Sequence, residues 1–165
     1  MSLIFHINSN TTDRLLSQSQ LICFRKLSIM NLVSIRIITA DVEALIKFYE
    51  HITKLTIKRF TPDFAELQTK TATLAIGSIN TLQFFGGESV AQAAKNRTAI
   101  IEFMVEDVEK EYNRLAPFLE PYIVQKPTIM PWGNNSFLFR DPDGNLVNLF
   151  TPTTLKAIKK FEPTN

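Results

Sequence analysis

The sequence predicts an α+β domain in which one unit, a strand followed by a helix and about three further strands, occurs twice. The tripeptide Asp-Val-Glu at 41–43 recurs at 107–109, apolar strand-like runs precede both copies, and helical patterns follow both. A chain of 165 residues suits one domain of ordinary size. Neither half could bury both faces of its own sheet, so the two halves should combine.

Each copy of the unit opens with a strand and a capped helix. The first strands are predicted at 33–39 and 99–105. Asp41 and Asp107 stand where a helix needs an N-cap, next to the positive end of the helix dipole. Apolar residues at helical spacing then predict a buried face in each helix. These residues are Val42, Leu45, Ile46 and Tyr49 in the first helix, and Val108, Tyr112 and Leu115 in the second.

Further strand-like runs complete each half. They lie at 55–60, 64–69, 72–77 and 81–85 in the first half, and at 122–127, 137–140 and 146–150 in the second. The polar segment 86–97 starts with two glycines and is predicted to connect the halves. In "FLFRDPDGNLVNLF", Pro142 pre-sets φ and Gly144 supplies a left-handed residue, so a hairpin with a short loop is expected.

Charge and apolar patterning exclude two classes of function for the main part of the chain. Of 18 basic and 16 acidic residues, Arg14, Arg25, Lys26 and Asp13 fall within the first 29, which leaves 15 of each sign from Met30 onward. The part of the chain from Met30 onward, called the body below, therefore has no excess of positive charge of the kind that binds nucleic acid. No apolar run approaches the roughly 18 residues of a membrane span, so no membrane partner is expected.

Cysteine and histidine usage excludes several kinds of site. Cys23 and His6 lie in the first 29 residues, which leaves His51 as the only histidine after them. Zinc fingers, Cys–His nucleophilic pairs and multi-histidine metal sites are thereby excluded from the body. Residues 1–29 lack the features of a secretory signal, so a cytoplasmic protein is expected. They are interpreted as a non-essential extension upstream of a native start at Met30, or as an arm that covers a partner subunit.

Three motifs carry a resemblance to a known family. In their order, "ADVEALIKFYE", "EFMVEDVEKEY" and "MPWGNNSFLFRDPDGNLVNLFTP" resemble the vicinal oxygen chelate superfamily, which includes glyoxalase I, extradiol dioxygenases and the bleomycin-resistance proteins. The resemblance implies a domain over 30–155 with βαβββ modules at about 32–86 and 98–152, followed by a tail at 156–165. It also implies that the modules form a curved, half-open barrel around a cleft, usually in a homodimer.

The resemblance also marks the positions at which a metal would be held. Metal-dependent members use a histidine on the first strand of each module and a glutamate on each last strand. Carried over by motif, these positions fall on Ser34, Gln83, Ile100 and Asn148. Nearby Glu102 could add one carboxylate, which is too few for tight binding of a hard cation. We therefore expect no metal ligands and no cofactor, with weak binding of a divalent ion as the open alternative.

Strand alternation selects the residues that should face the cleft. The alternating residues at 33, 35 and 37 and at 101, 103 and 105 are all apolar and should meet the helices. Arg36 and Glu102 then face the cleft at equivalent positions, where they either pair with each other or serve a ligand. Trp132 either covers the cleft and stacks on a ligand, or packs against the first module. The candidate ligand-binding residues are Ser34, Arg36, Gln83, Glu102, Trp132 and Asn148.

Two functions compete at this point. The first is a metal-independent protein that holds a small, partly aromatic molecule in the cleft, for which the bleomycin-resistance proteins are the precedent. The second is a glyoxalase-like lyase or a dioxygenase with an unusual divalent-metal site on Glu102, Gln83 and Asn148. A structural or interaction subunit is a more distant third. The sequence favours the first because the four metal positions supply no carboxylate.

Overall fold

The computed structural model of the chain describes residue 30 and residues 32–162. The chain divides into units of residues 1–32 and 33–165, and the second unit carries both modules. The extension expected at 1–29 lies outside the described residues. Within the part of the chain that is described, no helix is both long and apolar enough to cross a membrane.

The element order confirms the two βαβββ modules. The first consists of β1 (Ser34–Thr39), α1 (Val42–Thr53), β2 (Lys58–Thr61), β3 (Phe64–Gln68) and β4 (Thr73–Ser78). The second consists of β5 (Ile100–Met104), α2 (Val108–Leu119), β6 (Ile123–Ile129), β7 (Asn134–Arg140) and β8 (Leu146–Pro152), and α3 (Leu155–Lys160) follows it. Within residues 32–162, short 3₁₀ helices lie at Ile79–Phe85, Gly87–Ser89 and Glu120–Tyr122.

Each module forms one four-stranded sheet. The strand orders are β1-β4-β3-β2 and β5-β8-β7-β6, with the first strand parallel to the last and the other neighbours antiparallel. Arg36 pairs with Ala75 in the first sheet, and Glu102 pairs with Asn148 at the matching place in the second. The two sheets share no strand pairing among the described residues, so the strands do not close into a barrel.

The helices α1 and α2 pack on one side of both sheets, and their apolar residues form a single core with those of the sheets. The predicted N-caps are confirmed, since Asp41 accepts from the Ala44 amide at 2.9 Å and Asp107 from the Lys110 amide at 3.1 Å. The Phe48 ring of α1 lies 6.2 Å from that of Phe139 in the second module. The buried residues of α1, α2 and both sheets therefore belong to one cluster.

A buried hydrogen bond joins the first helix to the final hairpin. The Tyr49 hydroxyl donates to Asp141 Oδ2 at 2.9 Å, and both residues are buried. The Asn145 backbone amide and its Nδ2 also donate to this carboxylate, each at 2.8 Å. Burial raises the pKa of the Tyr49 phenol well above its ordinary value, and the Asp141 charge raises it further. Tyr49 therefore has a structural role, as its place on the core face of the helix predicts.

The strand predicted at 81–85 is wrong. Residues Ile79–Phe85 form a 3₁₀ helix, in which Ser78 accepts from the Asn80 amide at 3.0 Å and the Thr81 hydroxyl donates to the Ser78 carbonyl at 2.7 Å. Short apolar runs fit a strand and a helix about equally well, and here the Ser78 cap decides between them. The last strand of the first module is therefore β4.

The apolar face predicted for β1 is only partly buried. Ile37 belongs to the core, whereas Val33 and Ile35 are exposed. The helices cover only the carboxyl-terminal half of β1, so alternation assigns the correct face of the strand but not its extent of burial.

The turn of the final hairpin has the predicted geometry. Gly144 has φ +79°, and its amide donates to the Asp141 carbonyl at 2.8 Å. The Gly144 carbonyl accepts from Arg140 Nη1, also at 2.8 Å. A Cβ on Gly144 would lie 3.0 Å from Nη2 of the exposed Arg97 side chain, which can move aside, so the backbone angle is what favours glycine.

We expect Gly144→Val to lower the free energy of unfolding by about 1–3 kcal/mol, because a β-branched residue is strained at positive φ. Gly144→Asn is the matched control, since asparagine tolerates the left-handed region and should lose much less. Chemical denaturation measures both. An unchanged midpoint for the valine variant would contradict the turn assignment.

Candidate functional site

The cleft face of each sheet is the side that is turned away from α1 and α2. In the second module this face carries Asn134 and Ser136 of β7, Asn148 and Phe150 of β8, and Glu102 of β5. In-register partners share a side of a sheet, and Ser136 pairs with Phe150 as Glu102 does with Asn148. The alternate residues of these strands, Phe103, Phe137 and Leu149, pack in or against the core.

Glu102 and Asn148 are in direct contact. Asn148 Nδ2 donates to Glu102 Oε1 at 2.9 Å. Asn148 is buried, whereas Glu102 is exposed. Because the amide nitrogen is used on Glu102, Asn148 Oδ1 is left to accept from elsewhere, and it has no hydrogen-bond partner among the described residues.

Three buried polar atoms on this face are unpaired within the described part of the chain: Asn134 Oδ1, Ser136 Oγ and Asn148 Oδ1. Their residues are 8%, 1% and 7% exposed, respectively. Leaving such an atom unsatisfied costs about 1–3 kcal/mol. Sequence reasoning missed Asn134 and Ser136, although strand alternation in "NNSFLFR" places both on the side opposite Phe137 and Phe139.

The C-terminal segment reaches the same face. The Phe161 ring lies 5.3 Å from that of Phe150. The backbone amides of Thr153 and Thr154 donate to the Gly133 carbonyl at 2.8 and 3.3 Å, and Thr154 caps α3. The segment at 156–165, predicted as a tail, therefore includes most of a short helix that borders the cleft face.

Arg36 does not pair with Glu102. Its side chain passes close to Gly77, where an added Cβ would lie 3.3 Å from Arg36 Cδ. Its guanidinium carbon lies 4.8 Å from the centre of the Phe64 ring. The three ion pairs among the described residues involve neither Arg36 nor Glu102. Equivalent positions in two repeats need not be neighbours, and a cation–π contact within the first module takes the place of the predicted ion pair.

The other candidates do not join the Glu102–Asn148 pair. Ser34 is exposed near the start of β1, Gln83 is exposed on the 3₁₀ helix, and Trp132 is 65% exposed on the turn between β6 and β7. No hydrogen bond between described residues links any of these side chains to Glu102 or Asn148. Of the six predicted residues, the structure thus brings two together directly.

The positions of the superfamily's metal ligands do not suit a divalent ion in this chain. Because Gln83 lies beyond β4, the strand register puts Ala75, not Gln83, at the place equivalent to Asn148. The four positions then hold Ser34, Ala75, Ile100 and Asn148, which together supply no charge. Within the described residues no group of three or more His, Cys, Asp or Glu side chains could hold a metal ion.

A groove of about 650 Å³ lies elsewhere, between the end of α1, the end of β5 and the start of α2. None of the six predicted residues lines it. Arg114 in its wall donates to Glu111 and to the backbone carbonyls of His51 and Ile52. Arg114 thus ties α2 to the end of α1, so we place the candidate site on the cleft face of the second module, where buried polar atoms have no partner among the described residues.

The hairpin turn also carries a perturbed carboxyl group. Burial raises the pKa of Asp143, and the charges of Asp141 and Asp41 act in the same direction, while the Thr39 hydroxyl opposes them. Asp63 is the opposite case, because hydrogen bonds from Ser78 and Asn80 lower its pKa. The surroundings thus disfavour the charged form of Asp143 and favour the charged form of Asp63.

Comparison with known families supports the fold-level interpretation. The model of the Glyoxalase/Bleomycin resistance protein/Dioxygenase superfamily matches residues 31–149. The chain belongs to this superfamily. No curated protein matches the sequence.

Solved structures of the superfamily share the fold. A glyoxalase/bleomycin resistance protein/dioxygenase from Nocardioides is 19% identical, with a TM-score of 0.63 over 83% of this chain and 95% of that one. A family enzyme from Burkholderia phytofirmans PsJN is 16% identical, with a TM-score of 0.65 over 74% and 99%. A glyoxalase-related enzyme from Fulvimarina pelagi is 19% identical, with a TM-score of 0.60 over 74% and 88%.

We expect Asp143→Asn to raise the free energy of unfolding at pH 7. A raised pKa in the folded state means that stability is lost as pH rises through that pKa, and the amide avoids this loss. Because the side chain is only partly buried, the gain should stay below about 1 kcal/mol. It should shrink as pH falls and the wild-type carboxyl group becomes protonated.

Asp63→Asn is the matched control with the opposite sign. Because the pKa of Asp63 is lowered in the folded state, its carboxylate stabilises the protein at neutral pH, and this stability is lost as pH falls through that pKa. The variant should therefore be less stable than wild type at pH 7. Denaturation curves between pH 3 and pH 7 measure both variants. A loss of stability in Asp143→Asn at pH 7 would contradict the account.

Proposed function

We propose that the protein binds a small, partly aromatic molecule without a metal ion, on the cleft face of the second module. One observation carries this proposal. Asn148 stands where metal-dependent members of the superfamily place a glutamate ligand, and it is buried with a side-chain carbonyl oxygen that no described residue pairs with. A neutral amide in that position suits hydrogen bonding to an organic group better than coordination of a hard cation.

The surroundings of Asn148 support a ligand site. Glu102 orients its amide, and the exposed side chains of Ile100 and Met104 flank Glu102 along β5. Ligand sites commonly combine apolar walls with a few well-placed polar groups, as these residues do. The proposal needs no ion for any of these contacts.

The remaining candidates have supporting roles in the proposal. Arg36 would contact a carbonyl group of the ligand, and Trp132 would stack on its aromatic part. Ser34 and Gln83 would supply adaptable hydrogen bonds. In the proposal the protein acts as a cytoplasmic homodimer, the arrangement that the superfamily resemblance favours.

The test is a titration with a panel of small aromatic compounds in the presence of EDTA, followed by the emission of Trp132, the only tryptophan, and by calorimetry. We expect binding with chelator present. Asn148→Ala should weaken it by roughly 1–3 kcal/mol, because the group of the ligand that bonds to Asn148 is left unpaired.

Asn80→Ala is the control with the same chemical change. Asn80 is exposed in the first module, where its Nδ2 donates to Asp63, so this variant should keep wild-type affinity. Arg36→Ala and Trp132→Ala should each reduce affinity. Binding that appears only after a divalent ion is added would favour the alternative, a glyoxalase-like lyase or dioxygenase with a metal site on Glu102, Gln83 and Asn148.

A further inference from the structure

We propose that the cleft face of the second module recognises hydrogen-bond donors, so that its ligand presents an amine or amide N–H rather than a carboxylate or phosphate. The inference rests on the proposed function and specifies the class of ligand. It depends on the three buried oxygens Asn134 Oδ1, Ser136 Oγ and Asn148 Oδ1, which have no partner among the described residues.

All three oxygens are buried in this structure, so a ligand reaches them by displacing the side chains that cover them. Two pairs of the residues that carry these oxygens are neighbours on this face. Asn134 and Ser136 alternate along β7, so their α-carbons are about 7 Å apart. Ser136 pairs with Phe150 and is the diagonal neighbour of Asn148, which gives a similar separation of about 7–8 Å. A ligand with two polar groups can therefore contact two of these oxygens at once.

The chemistry of the oxygens selects donors. An amide oxygen can only accept hydrogen bonds, and the Asn148 nitrogen already donates to Glu102 Oε1. The Ser136 hydroxyl can accept or donate. Glu102 adds an exposed carboxylate beside Asn148. A carboxylate ligand would have to place its charge next to these acceptors, whereas an N–H group satisfies them.

Basic side chains near this face are held elsewhere. Arg140 is the other diagonal neighbour of Asn148 on this face, about 7–8 Å away, but its Nη1 donates to the Gly144 carbonyl at 2.8 Å in the hairpin turn. The Lys160 ammonium lies 5.2 Å from the centre of the Phe161 ring. Arg36 belongs to the first sheet, where it lies over Phe64, and in the proposal it serves the carbonyl group of the ligand rather than the group that meets these oxygens. The three unpaired oxygens, which accept hydrogen bonds, therefore determine which polar group of a ligand this face prefers.

The decisive pair of probes is 3-phenylpropanamide and 3-phenylpropionate, which differ only at the terminal group. We expect the amide to bind at least about tenfold more tightly than the carboxylate, by NMR titration in EDTA. Phenethylamine, which carries an ammonium group, should also bind, and Glu102→Gln should weaken the amine more than the amide. Glu66→Gln makes the same change on the cleft face of the first sheet and should alter neither.

The Ser136→Ala variant distinguishes a hydroxyl that contacts the ligand from one that stabilises the fold. Removing an unpaired buried hydroxyl should raise Tm by about 2–4 °C. The same change should weaken binding of 3-phenylpropanamide about tenfold. Ser78→Ala is the matched control, because the buried Ser78 hydroxyl donates to Asp63 Oδ1 at 2.6 Å. That variant should lower Tm and leave the affinity unchanged.

The outcomes distinguish the two proposals. Tighter binding of the carboxylate in EDTA, still lost in Asn148→Ala, would overturn the donor inference and leave the proposed function standing. Failure of all three probes to bind in EDTA would contradict the proposed function itself. A fall in Tm with unchanged affinity in Ser136→Ala would show that its hydroxyl is structurally paired, which also overturns the inference.

Discussion

The buried hydrogen bond between Tyr49 and Asp141 is the constraint on which the rest of the structure depends. It ties the helix of the first module to the turn of the final hairpin, and the Asp141 carboxylate also receives two hydrogen bonds from Asn145. A buried carboxylate is tolerated only when its acceptors are satisfied, so the turn has little freedom to move. The hairpin that starts from this turn places Ser136 and Asn148 on the cleft face.

The Asp141 carboxylate and the cleft face of the strands differ in how their buried polar groups are satisfied. Near the turn, every buried oxygen of Asp141 has a partner, which stabilises the fold. Further along the strands, Asn134, Ser136 and Asn148 have oxygens with no partner in the described part of the chain, at a cost of about 1–3 kcal/mol each. That cost is large beside a typical total stability of about 5–15 kcal/mol. Such atoms are expected where a protein gives up stability for binding, which is why they mark the site.

Local signals in the sequence predicted most of the fold, whereas the site depends on contacts between strands. The N-caps Asp41 and Asp107 and the turn glycine Gly144 act over a few residues, and all three have the predicted roles. The strand predicted at 81–85 failed because its short apolar run fits two structures. Asn134 and Ser136 were missed because their importance depends on the pairing of β7 with β8, which brings Ser136 beside Asn148. The Arg36–Glu102 pair failed because repeat equivalence does not fix a distance.

The central claim is that this member of the superfamily binds its ligand without a metal ion, and the metal content of the purified protein tests it most directly. The protein would be purified without chelator, dialysed against metal-free buffer and analysed by inductively coupled plasma mass spectrometry. The account predicts far less than one divalent ion per chain, because Ser34, Ala75, Ile100 and Asn148 supply no charged ligand. Retention of close to one divalent ion per chain after dialysis would contradict it.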